Sequence, residues 1–150
     1  MRRISKVLAV LAALVAAMIL VPASPAAAGD SGACPGNLVL HKLLTYSGNT
    51  IGELDIYWDA STQKNCAKMN HGGPTWGVAR ETWAYIAKCQ ATTPTGTCYV
   101  MNDDYDQGSY SYYAGPVKVT AGTHCIQANG WIYWDGARRK VATGDTVACG

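Results

Sequence analysis

Ile51-Gly-Glu-Leu-Asp-Ile-Tyr-Trp58 decides the fold. Leu54, Ile56 and Trp58 fall on one side of an extended chain and Glu53, Asp55 and Tyr57 on the other, which is the alternation of a half-buried strand and not the 3.6-residue period of a helix. The polar residues 59–65 that follow are turn-rich, and residues 66–70 are expected to return antiparallel with Cys66 as an anchored position. Further out, residues 38–46 read as a first strand and Gly72-Gly73-Pro74 as a firm break. Residues 78–89 fit two periods: Trp83, Tyr85, Ala87 and Cys89 alternate with Thr82, Ala84, Ile86 and Lys88, yet Ala79, Glu81, Ala84 and Ala87 would line a helix. The β-like neighbours on both sides favour a strand. Residues 109–113, 117–120, 125–134 and 140–149 supply more short strands, parted by Gly115-Pro116, Ala121-Gly122 and Asp135-Gly136. The expected class is all-β, a small antiparallel β-sandwich or barrel.

Residues 1–28 do not belong to that pattern. Arg2, Arg3 and Lys6 precede an apolar run over residues 7–21, and residues 22–28 end in Ala26-Ala27-Ala28, the layout of a cleaved secretory signal. The run is shorter than the ~20 residues that span a bilayer, and no second one follows, so membrane insertion is not expected. Removing the segment takes away three of the twelve basic residues and none of the ten acidic ones, so the formal charge moves from +2 to −1 for residues 29–150. A near-neutral exported chain gives no electrostatic support to nucleic-acid binding. Residues 29–150 carry no long charge run, repeat or linker and read as one domain.

All six cysteines, Cys34, Cys66, Cys89, Cys98, Cys125 and Cys149, lie in the exported part. Oxidising surroundings make three disulfides the default, with fifteen possible pairings that spacing does not choose among. Zinc is a poor alternative, because no CxxC pair occurs and His41, His71 and His124 do not sit at finger-like intervals from the cysteines.

The aromatic set is unusual: nine Tyr, five Trp and no Phe. Every ring therefore carries a polar handle that needs a partner when buried, which places many of them at the core's edge or on the surface. The candidates for a ligand or partner surface are Trp76, Trp83, Tyr110, Tyr112, Trp131 and Trp134, since exposed rings stack on sugars and drive protein association. Alternation limits the set: Trp131 and Tyr133 share one face of a strand while Ile132 and Trp134 share the other, so one of the two is core.

The stretch Gly108-Ser-Tyr-Ser-Tyr-Tyr-Ala-Gly-Pro-Val-Lys-Val-Thr-Ala-Gly-Thr-His-Cys-Ile126 resembles the spore-associated protein A family of small exported actinobacterial proteins. Ile56-Tyr57-Trp58 through Lys64-Asn65-Cys66 and the end cysteines Cys34 and Cys149 agree with it, so the resemblance covers most of residues 34–150. None of these pieces is a catalytic motif. Family members commonly carry four cysteines, matching Cys34, Cys66, Cys125 and Cys149; Cys89 and Cys98 are a departure, and a pair added together most simply bridges itself across Thr92-Thr93-Pro94-Thr95-Gly96. On that comparison Cys89 is expected to join Cys98, Cys66 to join Cys125, and Cys34 to join Cys149. The last would close the longest loop, for which a chain-entropy model gives about 4 to 5 kcal/mol.

Motifs for chemistry are sparse. Asn102-Asp-Asp-Tyr-Asp-Gln-Gly108 gathers Asp103, Asp104 and Asp106 and resembles half a calcium loop, but the twelve-residue pattern and its closing Glu are missing, so a solvated acidic turn is expected. Glu53 and Glu81 would be the carboxylate pair of a glycosidase, although Glu53 reads as a surface charge. There is no Gly-x-Ser-x-Gly elbow and no His-Glu-x-x-His, Ser109 and Ser111 lack any cue marking a nucleophile, and a lone His on a strand or beside a Cys is usually structural. No cofactor, metal or catalytic residue is assigned. The resemblance implies a non-enzymatic protein of the spore or cell surface, attached noncovalently through protein contacts or wall glycans. The alternative is a glycan-binding module built on aromatic rings. A small hydrolase or an enzyme inhibitor ranks third, the inhibitor requiring a rigid protruding loop such as Cys89 to Cys98.

Overall fold

Strand formation follows the alternation, and the computed structural model describes residues 32–150. The signal-like segment lies outside the described residues. Eight strands occur among the described residues: β1 (Asn37–Tyr46), β2 (Asn49–Asp59), β3 (Lys64–His71), β4 (Arg80–Cys89), β5 (Val100–Tyr110), β6 (Tyr113–Thr120), β7 (Ile126–Trp134) and β8 (Ala137–Ala142), with one 3-10 turn at Gly73–Thr75. They form two antiparallel sheets, ordered β1-β2-β3-β6 and β5-β4-β7-β8. The fold is a disulfide-stapled all-β sandwich. Its core takes inward residues from both sheets: Leu54, Ile56, Ala67, Met69, Val117 and Val119 from the first, Ala84, Ile86, Ile126, Ala128 and Ile132 from the second.

A core without Phe is filled by a different device. A methyl group on Gly52 would lie 2.6 Å from Ile132 Cδ1, and one on Gly130 would lie 2.7 Å from Met69 Sδ. Ile132 and Met69 thus reach into two glycine notches, giving aliphatic side chains the depth that an aromatic ring would otherwise supply.

Residues 78–89 form a strand from Arg80 onward, with Thr82, Ala84 and Ile86 buried inward. The acidic stretch differs from expectation. It is the edge strand β5, paired with β4 from Tyr110 opposite Arg80 to Asn102 opposite Lys88. Long pairing overrides the turn preference of Asn, Asp and Gly. Because side chains alternate, Asp103 points away from Asp104 and Asp106, and the three carboxylates do not converge on a cation. Asp104 Oδ2 instead accepts the Lys118 amide at 2.8 Å, and Asp106 Oδ2 accepts the Gly115 amide at 2.7 Å. These carboxylates satisfy the open edge of β6 that would otherwise invite another strand. On the other side of the sandwich, Lys42 Nζ donates to the carbonyls of Ala142 and Thr143, both at 3.0 Å, and ties β1 to the second sheet.

Residues 109–113 are not one strand: the chain leaves β5 after Tyr110 and enters β6 at Tyr113. Gly115-Pro116 lies within β6 at a register shift opposite Ala67 and Met69. Beyond Ala142, Val147 makes only an isolated bridge to Ile126.

Asp106 also accepts the Tyr110 hydroxyl at 2.6 Å; burial, reinforced by this bond, pushes the Tyr110 phenol up to about 12. Asp106→Ala strips partners from an amide and a phenol together and is expected to cost about 2 to 3 kcal/mol. The measurement is the urea midpoint at constant m; a loss under about 0.5 kcal/mol would show that the β6 edge does not depend on this carboxylate.

The disulfides are Cys34–Cys66, Cys89–Cys98 and Cys125–Cys149. The expected Cys34–Cys149 and Cys66–Cys125 pairs are therefore corrected. Cys66 alternates with the inward Ala67 on β3 and points out from the first sheet. Cys125 precedes the inward Ile126 and points out from the second. Two sheets, packed about 10 Å apart, separate them. The first sheet is stapled to the N-terminal arm through Cys34, and the chain entering β7 of the second is stapled to the C-terminal segment through Cys149.

Candidate ligand site at the hairpin end

Two-residue turns build one end of the sandwich. Ser47-Gly48 joins β1 to β2 and Asp135-Gly136 joins β7 to β8, and all four residues have positive φ, between 49° and 77°, the conformation of a tight hairpin turn. Between the two tips lies a cleft of about 570 Å³ lined by Tyr46, Asn49, Ile51, Pro74, Arg80, Tyr133, Trp134 and Asp135, among others. That is the size of a small-molecule site.

The walls are aromatic with polar groups at set positions. The Tyr46 hydroxyl donates to Asp135 Oδ2 at 2.6 Å, so the two hairpins are bonded across the cleft. Arg139 lies 3.8 Å over the Tyr46 ring and donates to the carbonyls of Trp134 and Asp135. Arg80, at the start of β4, stands 5.1 Å over the Trp134 ring.

The six aromatic candidates are distributed over the molecule. Trp134 lines the cleft. Trp83 and Trp131 sit on the outer face of the second sheet in a stack: Tyr85 to Trp83 at 5.4 Å, Trp83 to Trp131 at 6.3 Å, and the Arg138 guanidinium 4.4 Å over Trp131. Ring faces in that stack are turned to each other, and Trp131 is only 6% exposed. Trp76 and Tyr112 pair edge to face at 5.0 Å beside the 3-10 turn, and both are exposed. Tyr110 faces the β6 edge through Asp106. Sequence reading missed Tyr46, Arg80 and Asp135 as partners of Trp134. Asp135-Gly136 was legible as a turn, but its closeness to Tyr46 depends on stacking two hairpins from different sheets.

The two glutamates read as a glycosidase pair are kept apart. Glu53 lies on the outer face of the first sheet and Glu81 on that of the second, where it accepts from Gln107 and Arg138. They cannot flank one glycosidic bond. His124 Nδ1 lies 3.1 Å from the Gln90 carbonyl, a loop contact. His71 is buried; its Nδ1 must carry the proton given to the Thr75 carbonyl at 2.9 Å, so Nε2 accepts the Thr82 hydroxyl at 2.7 Å. It pins the 3-10 turn to β4. His41 Nδ1 lies 2.7 Å from Asp55 Oδ1, and the Asn70 amide donates to Asp55 Oδ2 at 2.8 Å. Asp55, read as facing solvent, is 9% exposed because these partners cover it. His41, Glu53 and Asp55 hold donor atoms within 4.8 Å of one another and are the described residues best placed for a metal, although both Asp55 oxygens already have partners.

The two histidines respond oppositely to pH. The Asp55 hydrogen bond raises the His41 pKa above 6.5, so its contribution to stability is present below pH 6.5 and is lost as pH rises through the folded value. Burial lowers the His71 pKa, so its contribution is present above pH 6.5 and is lost as pH falls through the folded value. In an NMR titration of the imidazole C–H signals, His41 is expected to titrate above His71; the reverse order would refute both assignments.

No family model matches the chain. No solved structure matches it. A curated protein, Spore-associated protein A of Streptomyces coelicolor, is 31% identical over 84 residues, covering 54% of this chain and 46% of that protein. The chain thus spans about half the length of the curated relative it matches, and the likeness supports a distant relationship.

Proposed function

We propose that the protein is exported and held noncovalently at the spore or cell surface as a non-enzymatic component. The observation that carries this reading is the similarity to Spore-associated protein A. Support also comes from three disulfides, which suit an oxidising exterior, and from the separation of Glu53 and Glu81 onto opposite faces. The inhibitor alternative loses support at its loop: Thr95 exchanges hydrogen bonds with Thr146, its amide donating to Oγ1 at 2.9 Å and its carbonyl accepting the Thr146 amide at 2.8 Å. The segment closed by Cys89–Cys98 is therefore tied to the C-terminal segment.

Attachment through a wall glycan is the second reading, favoured by the aromatic cleft. The test is retention of the exported, oxidised protein on purified spore walls. Release by soluble wall glycan supports attachment through sugar, and release only after surface protein is stripped supports a protein partner. Absence of retention overturns surface association.

A further inference from the structure

The geometry points to a carboxylate-bearing saccharide as the occupant of the hairpin-end cleft, gripped by Arg80. This rests on the glycan reading of the cleft and adds the chemistry of the sugar.

The argument begins with Arg80 itself. Its guanidinium is held over Trp134 at 5.1 Å. A cation–π contact of this kind uses none of the five N–H donors of the guanidinium. None of those donors has a hydrogen-bond partner among the described residues, and no carboxylate lies within 4.0 Å, whereas Arg138 reaches Glu81 and Arg139 is spent on two carbonyls and Asp135. An oriented cation without an internal partner, at the wall of a cleft, is arranged for an external anion. The planar fork matches a carboxylate through two parallel hydrogen bonds.

Charge and shape narrow the occupant. The charged groups lining the cleft are Arg80 and Asp135, and Asp135 is already engaged by the Tyr46 hydroxyl and by Arg139, so Arg80 is the uncommitted charge and suits one carboxylate per binding unit better than a polyphosphate. Trp134 supplies ring surface against which a sugar packs. Asp135, fixed by Tyr46, and the Asn49 amide offer acceptors and donors for hydroxyl groups.

The test is calorimetric titration of the oxidised protein with tri-galacturonate, with its carboxyl-reduced neutral counterpart, and with a glycerol-phosphate oligomer. Tri-galacturonate is expected to bind about tenfold or more tightly than the neutral trisaccharide, as a charge-assisted pair requires, with the preference falling as salt rises. Arg80→Gln should abolish the preference while lowering the melting temperature by no more than a few degrees, because Arg80 is exposed, makes no side-chain hydrogen bond to the described residues and loses only its contact with the Trp134 ring. Equal binding of the charged and neutral sugars overturns the role of Arg80 and leaves the glycan reading standing. Tighter binding of the phosphate oligomer, lost in Arg80→Gln, overturns the carboxylate assignment. Binding of none of the three overturns both this inference and the cleft as a glycan site.

Discussion

Ile132→Ala is expected to destabilise the protein by about 2 to 5 kcal/mol, towards the upper part of that range. The side chain is fully buried and its Cδ1 occupies the notch left by Gly52. The void left by truncation is walled partly by backbone, including the Asn70 carbonyl 2.8 Å from the position of a Gly52 methyl, and backbone in a paired strand collapses less readily than side chains. At this chain length such a loss lowers the melting temperature by roughly 10 °C or more. Gly52→Ala alone should also destabilise, by about 1 to 3 kcal/mol, because the new methyl meets Ile132, Met69 and the Asn70 carbonyl. The pair is the sharper test. In Ile132→Ala/Gly52→Ala the added methyl enters part of the vacated space, so the double variant should be more stable than the sum of the single losses by at least about 0.5 kcal/mol. Strict additivity would mean that the notch and the side chain are not in contact.

That notch marks the limit of what periodicity reveals. The alternation in residues 51–58 correctly placed Leu54 and Ile56 inward and predicted the return strand through Cys66. It could not show that Gly52 and Gly130 face each other's sheets as receptors for Ile132 and Met69, since contact across a sandwich depends on register between segments far apart in sequence. The acidic stretch at 102–108 failed for a related reason. Asn, Asp and Gly favour turns when considered alone, and their use as a strand depends on β4 beside them and on β6 amides that needed acceptors. Residues 78–89 held both periods, and pairing with β5 on one side and β7 on the other decided the outcome. Trp134 was legible as a site candidate. Arg80 was not, because an arginine at a strand's start carries no signal until the ring it covers and its lack of a carboxylate partner are known. Parity along strands did contain usable information about chemistry: it sends Glu53 and Glu81 to opposite outer faces once the two sheets are assigned.

The same parity makes the disulfide correction testable by a variant that treats the two pairings differently. Cys34→Ser/Cys149→Ser removes a single bridge if those residues are partners, leaving Cys66 free to join Cys125. In the structure it breaks two bridges, Cys34–Cys66 and Cys125–Cys149, with sequence separations of 32 and 24. Loop-closure entropy assigns each about 3 to 4 kcal/mol. The combined loss of roughly 7 kcal/mol is comparable to the whole stability of many domains of this size. The double variant is therefore expected to be largely unfolded at 37 °C, whereas Cys89→Ser/Cys98→Ser, which opens a loop of separation 9, should lose less and remain folded. Thiol counting on the fraction that folds at low temperature separates the alternatives directly. Folded and oxidised, then denatured for counting, Cys34→Ser/Cys149→Ser should yield two titratable thiols, from Cys66 and Cys125, because the two sheets separate these residues in the folded state. Recovery of a Cys66–Cys125 peptide with no free thiol from a folded preparation would overturn the assignment of one staple to each sheet.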